Sequence, residues 1–212
     1  PKNIQTRIDI EQVLKQRNAL LKQARGRLTE DINGTLQVWD EKLHSLSEVW
    51  GQERKSILKE INTYAEQAYS ELSGGNVSLE LNYDPPWLEQ GLLHVFQQVR
   101  DDELRRGITL AGPHRDEINV FLSGLPARTH ASQGEQRTIA LSLRIAGHLL
   151  LENVHQTKPL LLLDDVFSEL DSTRAKGLLD LLVADQTFIS TATKPQYLDS
   201  STQIHIHQGK IL

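Results

Sequence analysis

Two acids close an apolar run: Leu160-Leu161-Leu162-Leu163 leads into Asp164-Asp165. Four leucines in a row predict a strand buried on both faces and therefore central in a sheet. The acids then stand where the strand leaves the sheet, the usual place for a ligand crevice in an α/β fold. One carboxylate there can hold Mg²⁺, directly or through water, and its neighbour can polarise an attacking water. The pattern equally fits two acids capping an ordinary loop. Upstream, Ser132-Gln133-Gly134-Glu135-Gln136 precedes a stretch rich in Leu, Ile and Ala. A Ser hydroxyl, N–H groups bared by Gly and the positive end of a helix make an anion site. Read structurally, Ser132 is an N-cap with Glu135 as its capping-box partner, and both readings can hold at once. Ser168-Glu169-Leu170-Asp171 follows directly on the acids, with Asp171 placed to N-cap a helix beginning near Ser172. The three elements rarely occur together in this order by chance. Jointly they favour a functional site over three unrelated caps.

The elements that must position these residues can be read from periodicity. Ile10, Val13, Leu14, Leu20 and Leu21 predict a helix over 9–25. Gly26 and the Asn33-Gly34 pair are expected to break it. A long amphipathic helix, 36–72, follows, and with the first it suggests an antiparallel hairpin. Alternation at Val77, Leu79, Leu81 and Tyr83 predicts a strand over 77–83. Pro85-Pro86 opens a helix over 87–106 that Gly107 ends. Short strands are expected at 108–110 and 118–122, around the turn Gly112-Pro113-His114-Arg115-Asp116. That turn can be structural, with Arg115 tying the two strands, or can face a dimer interface. Next come a helix over 133–152, the strand at 160–164, a helix over 172–183, a strand at 186–190 and a hairpin over 203–212 turning at Gln208-Gly209. Strand, helix, strand with an apolar first strand argues for a parallel α/β layer. His205 and His207 alternate along the last hairpin and read as surface residues.

Composition sets the bounds. At 212 residues with 38% hydrophobic and 24% charged side chains, the chain has the make-up of a globular protein of one or two domains. No apolar run approaches the roughly 20 residues needed to span a bilayer. The absence of Cys excludes disulfides and thiolate metal sites and fits a cytoplasmic location. The absence of Met suggests that Pro1 is a processed or excised start. Residues 1–27 carry +5, leaving −10 for the remainder of a chain whose net charge is −5. A basic helix on an acidic body can bind an anion or be a solvated face.

Taken together, Ser132–Gln136, Asp164-Asp165 and Ser168–Asp171 look like the second half of an ATP-binding-cassette nucleotide site. The first half, a phosphate loop of the form G-x-x-x-x-G-K-[ST], does not occur; the one Gly-Lys pair, Gly209-Lys210, lacks both the upstream Gly and a following Ser or Thr. More narrowly, the chain resembles the RecF family of bacterial recombination mediators. The likeness is carried by Leu161–Leu179 (LLLDDVFSELDSTRAKGLL), Ala131–Arg144 (ASQGEQRTIALSLR), Gly112–Asp116 (GPHRD) and Val13–Leu21 (VLKQRNALL), and runs from about residue 10 to the end.

The resemblance implies an α/β fold: half of an SMC-like ABC-ATPase head of P-loop NTPase type, with a helical arm over 1–106 and the C-terminal part of the head over 107–212. It implies ATP and Mg²⁺ as cofactors, ATP being sandwiched between two subunits. Ser132, Gln133, Gly134, Glu135 and Gln136 would form the signature segment reaching the γ-phosphate in trans. Asp164 would be the Walker B metal ligand, and Asp165 would stand where many relatives have a catalytic Glu. Ser168, Glu169, Leu170 and Asp171 would be the D-loop. The switch position, often His, falls at Thr191 or Thr193. Asp reaches one methylene less far than Glu, so slow turnover is expected, serving as a timer or clamp. The implied activity is ATP-dependent DNA binding in recombinational repair and replication restart. An ATP-closed homodimer would clamp duplex DNA near single-strand gaps and, with RecR and RecO, help load RecA. Phosphate contacts are expected from Lys15, Arg17, Lys22, Arg25 and Arg27 on the arm.

Two rivals stand beside this reading. A RecN-type SMC-like repair ATPase would have a long run of heptads where this chain has a short arm. A pure interaction module would use the arm without chemistry. With the phosphate loop absent from these 212 residues, they are expected to be inactive and monomeric unaided.

Overall fold

The computed structural model describes residues 2–181, 186–192 and 202–211, without the side chains of Lys2, Asn3, Ser168 and Glu169. Thr193, one of the two switch candidates, lies outside the described residues. The chain forms two compact units, residues 1–62 with 80–130, and residues 63–79 with 131–212. Residues 107–130 thus pack within the first unit, whereas the family resemblance groups them with the head.

In the first unit, α1 (Lys2–Ala24) ends at Arg25 and Gly26, both left-handed. Helix α2 (Glu30–Ser73) starts earlier than its periodicity suggested and absorbs Asn33-Gly34, the expected breaker. Thr29 caps it, accepting at Oγ1 from the Ile32 N–H and at its carbonyl from the Asn33 N–H, and Glu30 and Asp31 complement the positive end. Leu36, fully buried with Ile32 packed beside it, holds that first turn in place. Leu21 clusters with Leu36, and Leu14 with Leu43. Numbering falls along one helix as it rises along the other, so α1 and the start of α2 run antiparallel.

The helix expected at 87–106 is two: α3 (Pro86–Gln90) and α4 (Leu92–Arg106). Gly91, at φ +86°, lets the chain turn between them while its N–H closes α3 on the Trp87 carbonyl. Leu92 and Phe96 of α4 complete the core with Ile10, Val13, Leu14, Leu43 and Trp87. Strands β1 (Leu79–Asn82), β2 (Asn119–Leu122) and β3 (Leu125–Pro126) form a sheet in that order, with β2 and β3 antiparallel. No strand forms at 108–110, because side chains take the hydrogen bonds a strand would need. The Thr109 N–H donates to Asn18 Oδ1 and the Leu110 N–H to Glu103 Oε1. A short helix α5 (Ala127–His130) ends the unit.

The second unit is built on α6 (Gln133–His155), the last turns of α2, and β4 (Leu161–Asp164), α7 (Ser172–Leu181) and β5 (Thr187–Ser190). β4 and β5 pair in parallel, Leu161 opposite Thr187 and Asp164 opposite Ser190. Ala68, Leu72, Ile145 and Leu178 form the centre, with Leu163, Val166 and Phe167 against it. Gly177 on α7 meets the α2 backbone: a Cβ there would lie 2.5 Å from the Glu71 carbonyl oxygen. Helices cover only one face of β4. Leu162 is 69% exposed and Leu160 51%, so the expectation of a strand buried on both faces is wrong for the described residues. β6 (Ile206–His207) and β7 (Lys210–Ile211) form the terminal hairpin, turning at Gln208-Gly209 with His205 and His207 exposed.

Candidate functional site

Ser132 begins α6 as its N-cap, and the capping box is complete. Ser132 Oγ accepts from the Glu135 N–H at 3.3 Å, while Glu135 Oε2 accepts from the Ser132 N–H and hydroxyl, both at 2.7 Å. The Ser132 hydroxyl and N–H hold the Glu135 carboxyl below the usual range, and the Arg174 charge adds to this. The Gln136 N–H reaches the Ser132 carbonyl, and its amide Nε2 donates to the Ala131 carbonyl. Among the described residues the N–H groups of Gln133 and Gly134 have no protein partner. These two donors, at the positive end of a 23-residue helix, are what the turn offers to an anion. The cap uses the Ser132 hydroxyl and leaves two N–H groups open, so the capping box does not close the turn to an anion.

Leu170-Asp171 follows a 3₁₀ turn over Val166–Glu169 and leads into α7. Asp171 Oδ1 accepts from the Arg174 N–H at 2.9 Å, and its second oxygen pairs with the Arg174 guanidinium. That N–H, seconded by the charge, lowers the Asp171 pKa. Arg174 Nε also donates to Thr138 Oγ1 at 2.9 Å, so the start of α7 is joined to the first turns of α6. Tyr69, 2% exposed on α2, is raised by burial and by the Glu135 charge.

Asp164 and Asp165 leave the carboxyl end of β4, both exposed. Ser190 Oγ donates to Asp164 Oδ1, and the Asp165 N–H donates to the Ser190 carbonyl at 3.0 Å and hydroxyl at 3.3 Å. Asp165 adopts φ +48°, a left-handed conformation that Asp and Asn enter more readily than other side chains. The backbone thus favours Asp over Glu here. Asp164 fits a cation at an edge where other ligands could reach it, as Mg²⁺ prefers with phosphates and water. No group of three or more acids or histidines gathers among the described residues, so this chain would give the cation few ligands. Thr191 follows β5 directly and is exposed. The Ser190 hydroxyl contacts both acids, and sequence reading passed over it. Register could have found it, since a parallel strand ending opposite Asp164 must present its last side chain there.

Two sets of expected residues lie elsewhere. Lys15, Lys22, Arg25 and Arg27 are exposed on or just after α1, but Arg17 is not. It is 0% exposed, with Nε donating to Asp40 Oδ1 at 2.7 Å and Nη1 and Nη2 to the two Glu103 oxygens at 2.9 and 2.6 Å. Its guanidinium lies 4.1 Å from the Phe96 ring centroid. Arg17 is therefore removed from the DNA candidates, because both of its carboxylate partners are buried with it. In GPHRD, Asp116 accepts from Tyr83 Oη at 2.6 Å and Trp87 Nε1 at 2.8 Å, and it pushes the Tyr83 pKa up together with burial. Arg115 donates to the Thr109 carbonyl within the same turn, and His114 Nε2 lies 3.3 Å from that carbonyl. The turn is structural in these contacts, though Arg115 does not tie two strands.

No described helix is long and apolar enough to cross a membrane. No family model matches the chain. Several curated proteins do, each a DNA replication and repair protein RecF. The Rippkaea orientalis protein is 35% identical over 222 residues, spanning 94% of this chain and 58% of that protein. The Lactobacillus delbrueckii subsp. bulgaricus protein is 38% identical over 221 residues, spanning 95% and 57%. The Synechocystis protein is 38% identical over 204 residues, spanning 88% and 53%. Among solved structures, the recombination mediator RecF of the RecFOR pathway with ATP superposes with a TM-score of 0.80 at 26% identity, over 99% of this chain and 58% of that one. The same mediator with ATPrS superposes with a TM-score of 0.81 at 26% identity, over the same shares. The chain spans little more than half the length of these relatives, and the match carries the SMC-like ABC-ATPase head fold with its helical arm. On sequence and fold alike, the chain matches RecF proteins along nearly its whole length.

Proposed function

We propose that these residues form the arm and the signature-bearing part of an ATP-dependent DNA-binding protein of recombinational repair. Residues 1–106 would act as arm and 107–212 as part of the head. What supports the reading most directly is the open first turn of α6, with the Gln133 and Gly134 N–H groups free, in the same compact unit as Asp164-Asp165. That turn would receive the γ-phosphate of a nucleotide held by a second subunit. Asp164 would hold Mg²⁺, whose charge neutralises the phosphates during hydrolysis. Asp165 would orient the attacking water from its left-handed backbone. The D-loop, Ser168 to Asp171, would lie at the subunit boundary, with Thr191 or Thr193 near the γ-phosphate. Lys15, Lys22, Arg25 and Arg27 would contact DNA phosphates, with affinity falling as salt rises. The cytoplasmic ATP-closed dimer would act at gaps with RecR and RecO so that RecA loads.

Two experiments test this. Coding sequence upstream of Pro1 should contain G-x-x-x-x-G-K-[ST] after a strand pattern. An initiator codon immediately before Pro1 would instead favour the interaction-module reading. In the intact protein, ATP turnover should be slow, and Asp165→Glu should raise it. Equal or slower turnover in a folded variant would refute the claim that the shorter reach of Asp165 sets the slow rate.

A further inference from the structure

We propose that Arg174 is a positioning residue that locks the signature turn at Ser132–Gln136 and the start of α7 at Asp171 into one arrangement. The inference rests on the nucleotide reading above. Arg174 is a fork with partners on two helices. Its guanidinium pairs with Asp171 at the start of α7, and its Nε donates to Thr138 Oγ1 on α6 at 2.9 Å. Thr138 is 1% exposed, and its hydroxyl donates to the Gly134 carbonyl at 2.8 Å. The Thr138 proton is thus directed at the signature turn and a lone pair at Arg174. This fixes the direction of every bond in the series Asp171, Arg174, Thr138, Gly134.

Capping α7 requires only the Arg174 N–H, which already serves Asp171 at 2.9 Å. The reach of the side chain across to α6 is additional to the cap. Arg174 Nη2 also stands 4.0 Å from the point where a Cβ on Gly134 would be, flanking the turn that carries the free N–H groups. Its positive charge lowers the Glu135 and Asp171 carboxyls and counters the effect of Glu135 on Tyr69. An arriving phosphate would otherwise face two uncompensated carboxylates. Lys could supply that charge but not a planar fork that serves Thr138 and Asp171 together.

The test is steady-state ATP hydrolysis by the full-length protein, comparing the parent with Arg174→Ala, Arg174→Lys, Thr138→Val and the Arg174→Ala/Thr138→Val double variant. Losing a hydrogen bond to a charged group should lower kcat about tenfold in Arg174→Ala and in Thr138→Val, with KM for ATP within about twofold of the parent. The double variant should be no slower than the slower single, as for two members of one series. Arg174→Lys should recover less than half of the loss. A merely structural role would lower the folded fraction and leave kcat per folded molecule unchanged, so folded fractions are measured alongside. Single variants with kcat within about twofold of the parent, or losses that multiply in the double variant, would overturn the proposal. A parent that neither hydrolyses ATP nor dimerises with it would remove the nucleotide reading and this inference together. Active parent and unaffected variants would remove this inference alone.

Discussion

The two compact units place their charges in opposite ways. In the first, Arg17, Asp40 and Glu103 are turned inward, and Arg100 joins from the margin to pair with Asp40. Two positive and two negative side chains balance, and Thr109, Asn18 and the Leu110 N–H add further hydrogen bonds, while Arg100 Nη1 stays buried without one, 3.8 Å from Glu103 Oε2. In the second, Asp164, Asp165 and Asp171 are exposed at strand ends and helix starts, with Glu135 half-buried in the first turn of α6. A buried charge cluster pairs mostly within itself; it fixes how helices meet. Charges at element ends stay within reach of solvent and solutes. The same residue types close on one another where they are buried and remain accessible where they are exposed.

The largest expected effect breaks the first side of the contrast. Arg17→Ala should cost about 3–5 kcal/mol, because Asp40 and Glu103 remain buried without their partner. Denaturant unfolding measures it; a loss below about 1 kcal/mol would mean that the cluster is open to water like a surface pair. Gly177→Ala should destabilise the second unit by about 1–3 kcal/mol, since its Cβ would meet the Glu71 backbone and not a flexible side chain. Ser132→Ala should cost only about 1 kcal/mol of stability through the lost cap, yet should weaken ATP-dependent association markedly. That split between small stability loss and large functional loss is what the second unit's open placement implies.

The smallest effect is electrostatic. Asp171 and Glu135 have pKa values lowered in the folded state. Their contribution to stability is therefore present above the ordinary carboxylate range and is lost as pH falls through the lowered folded values. Arg174→Ala should raise the Asp171 pKa only part of the way toward its ordinary value, since the residue-174 N–H that chiefly lowers it remains, seen by carboxyl-resonance titration, with little change in the unfolding midpoint at neutral pH. An unmoved Asp171 titration would show that the guanidinium is not held beside it.

Much of the candidate site was legible because its residues are adjacent in sequence. Ser132 with Glu135, and Asp164-Asp165 after the leucines, are local patterns whose geometry a helix start or strand end dictates. Arg174 was not legible, because its partner Thr138 lies 36 residues away and only packing brings them together; Ser190, 26 residues from Asp164, becomes legible only once the register of β4 and β5 is fixed. The Leu run does not say which face is covered within this chain: among the described residues, helices cover one face of β4, and Leu160 and Leu162 are exposed. Asn33-Gly34 misled because Thr29 and the buried Leu36 outweigh a weak local preference for a turn. Arg17 did leave a trace. It stands on the stripe of Ile10, Val13, Leu14, Leu21 and Ala24, as Asp40 stands between Leu36 and Leu43. Opposite charges on the apolar stripes of two helices are a readable sign of a buried pair.

The central claim, that the turn at Ser132–Gln136 reads a nucleotide held by another subunit, is tested most directly by sedimentation of the intact protein with ATP and Mg²⁺. The account predicts a dimer with ATP, a monomer without it, and a monomer in both conditions for Ser132→Arg, whose bulky side chain would block the turn. A Ser132→Arg protein that dimerises with ATP as readily as the parent would contradict the account.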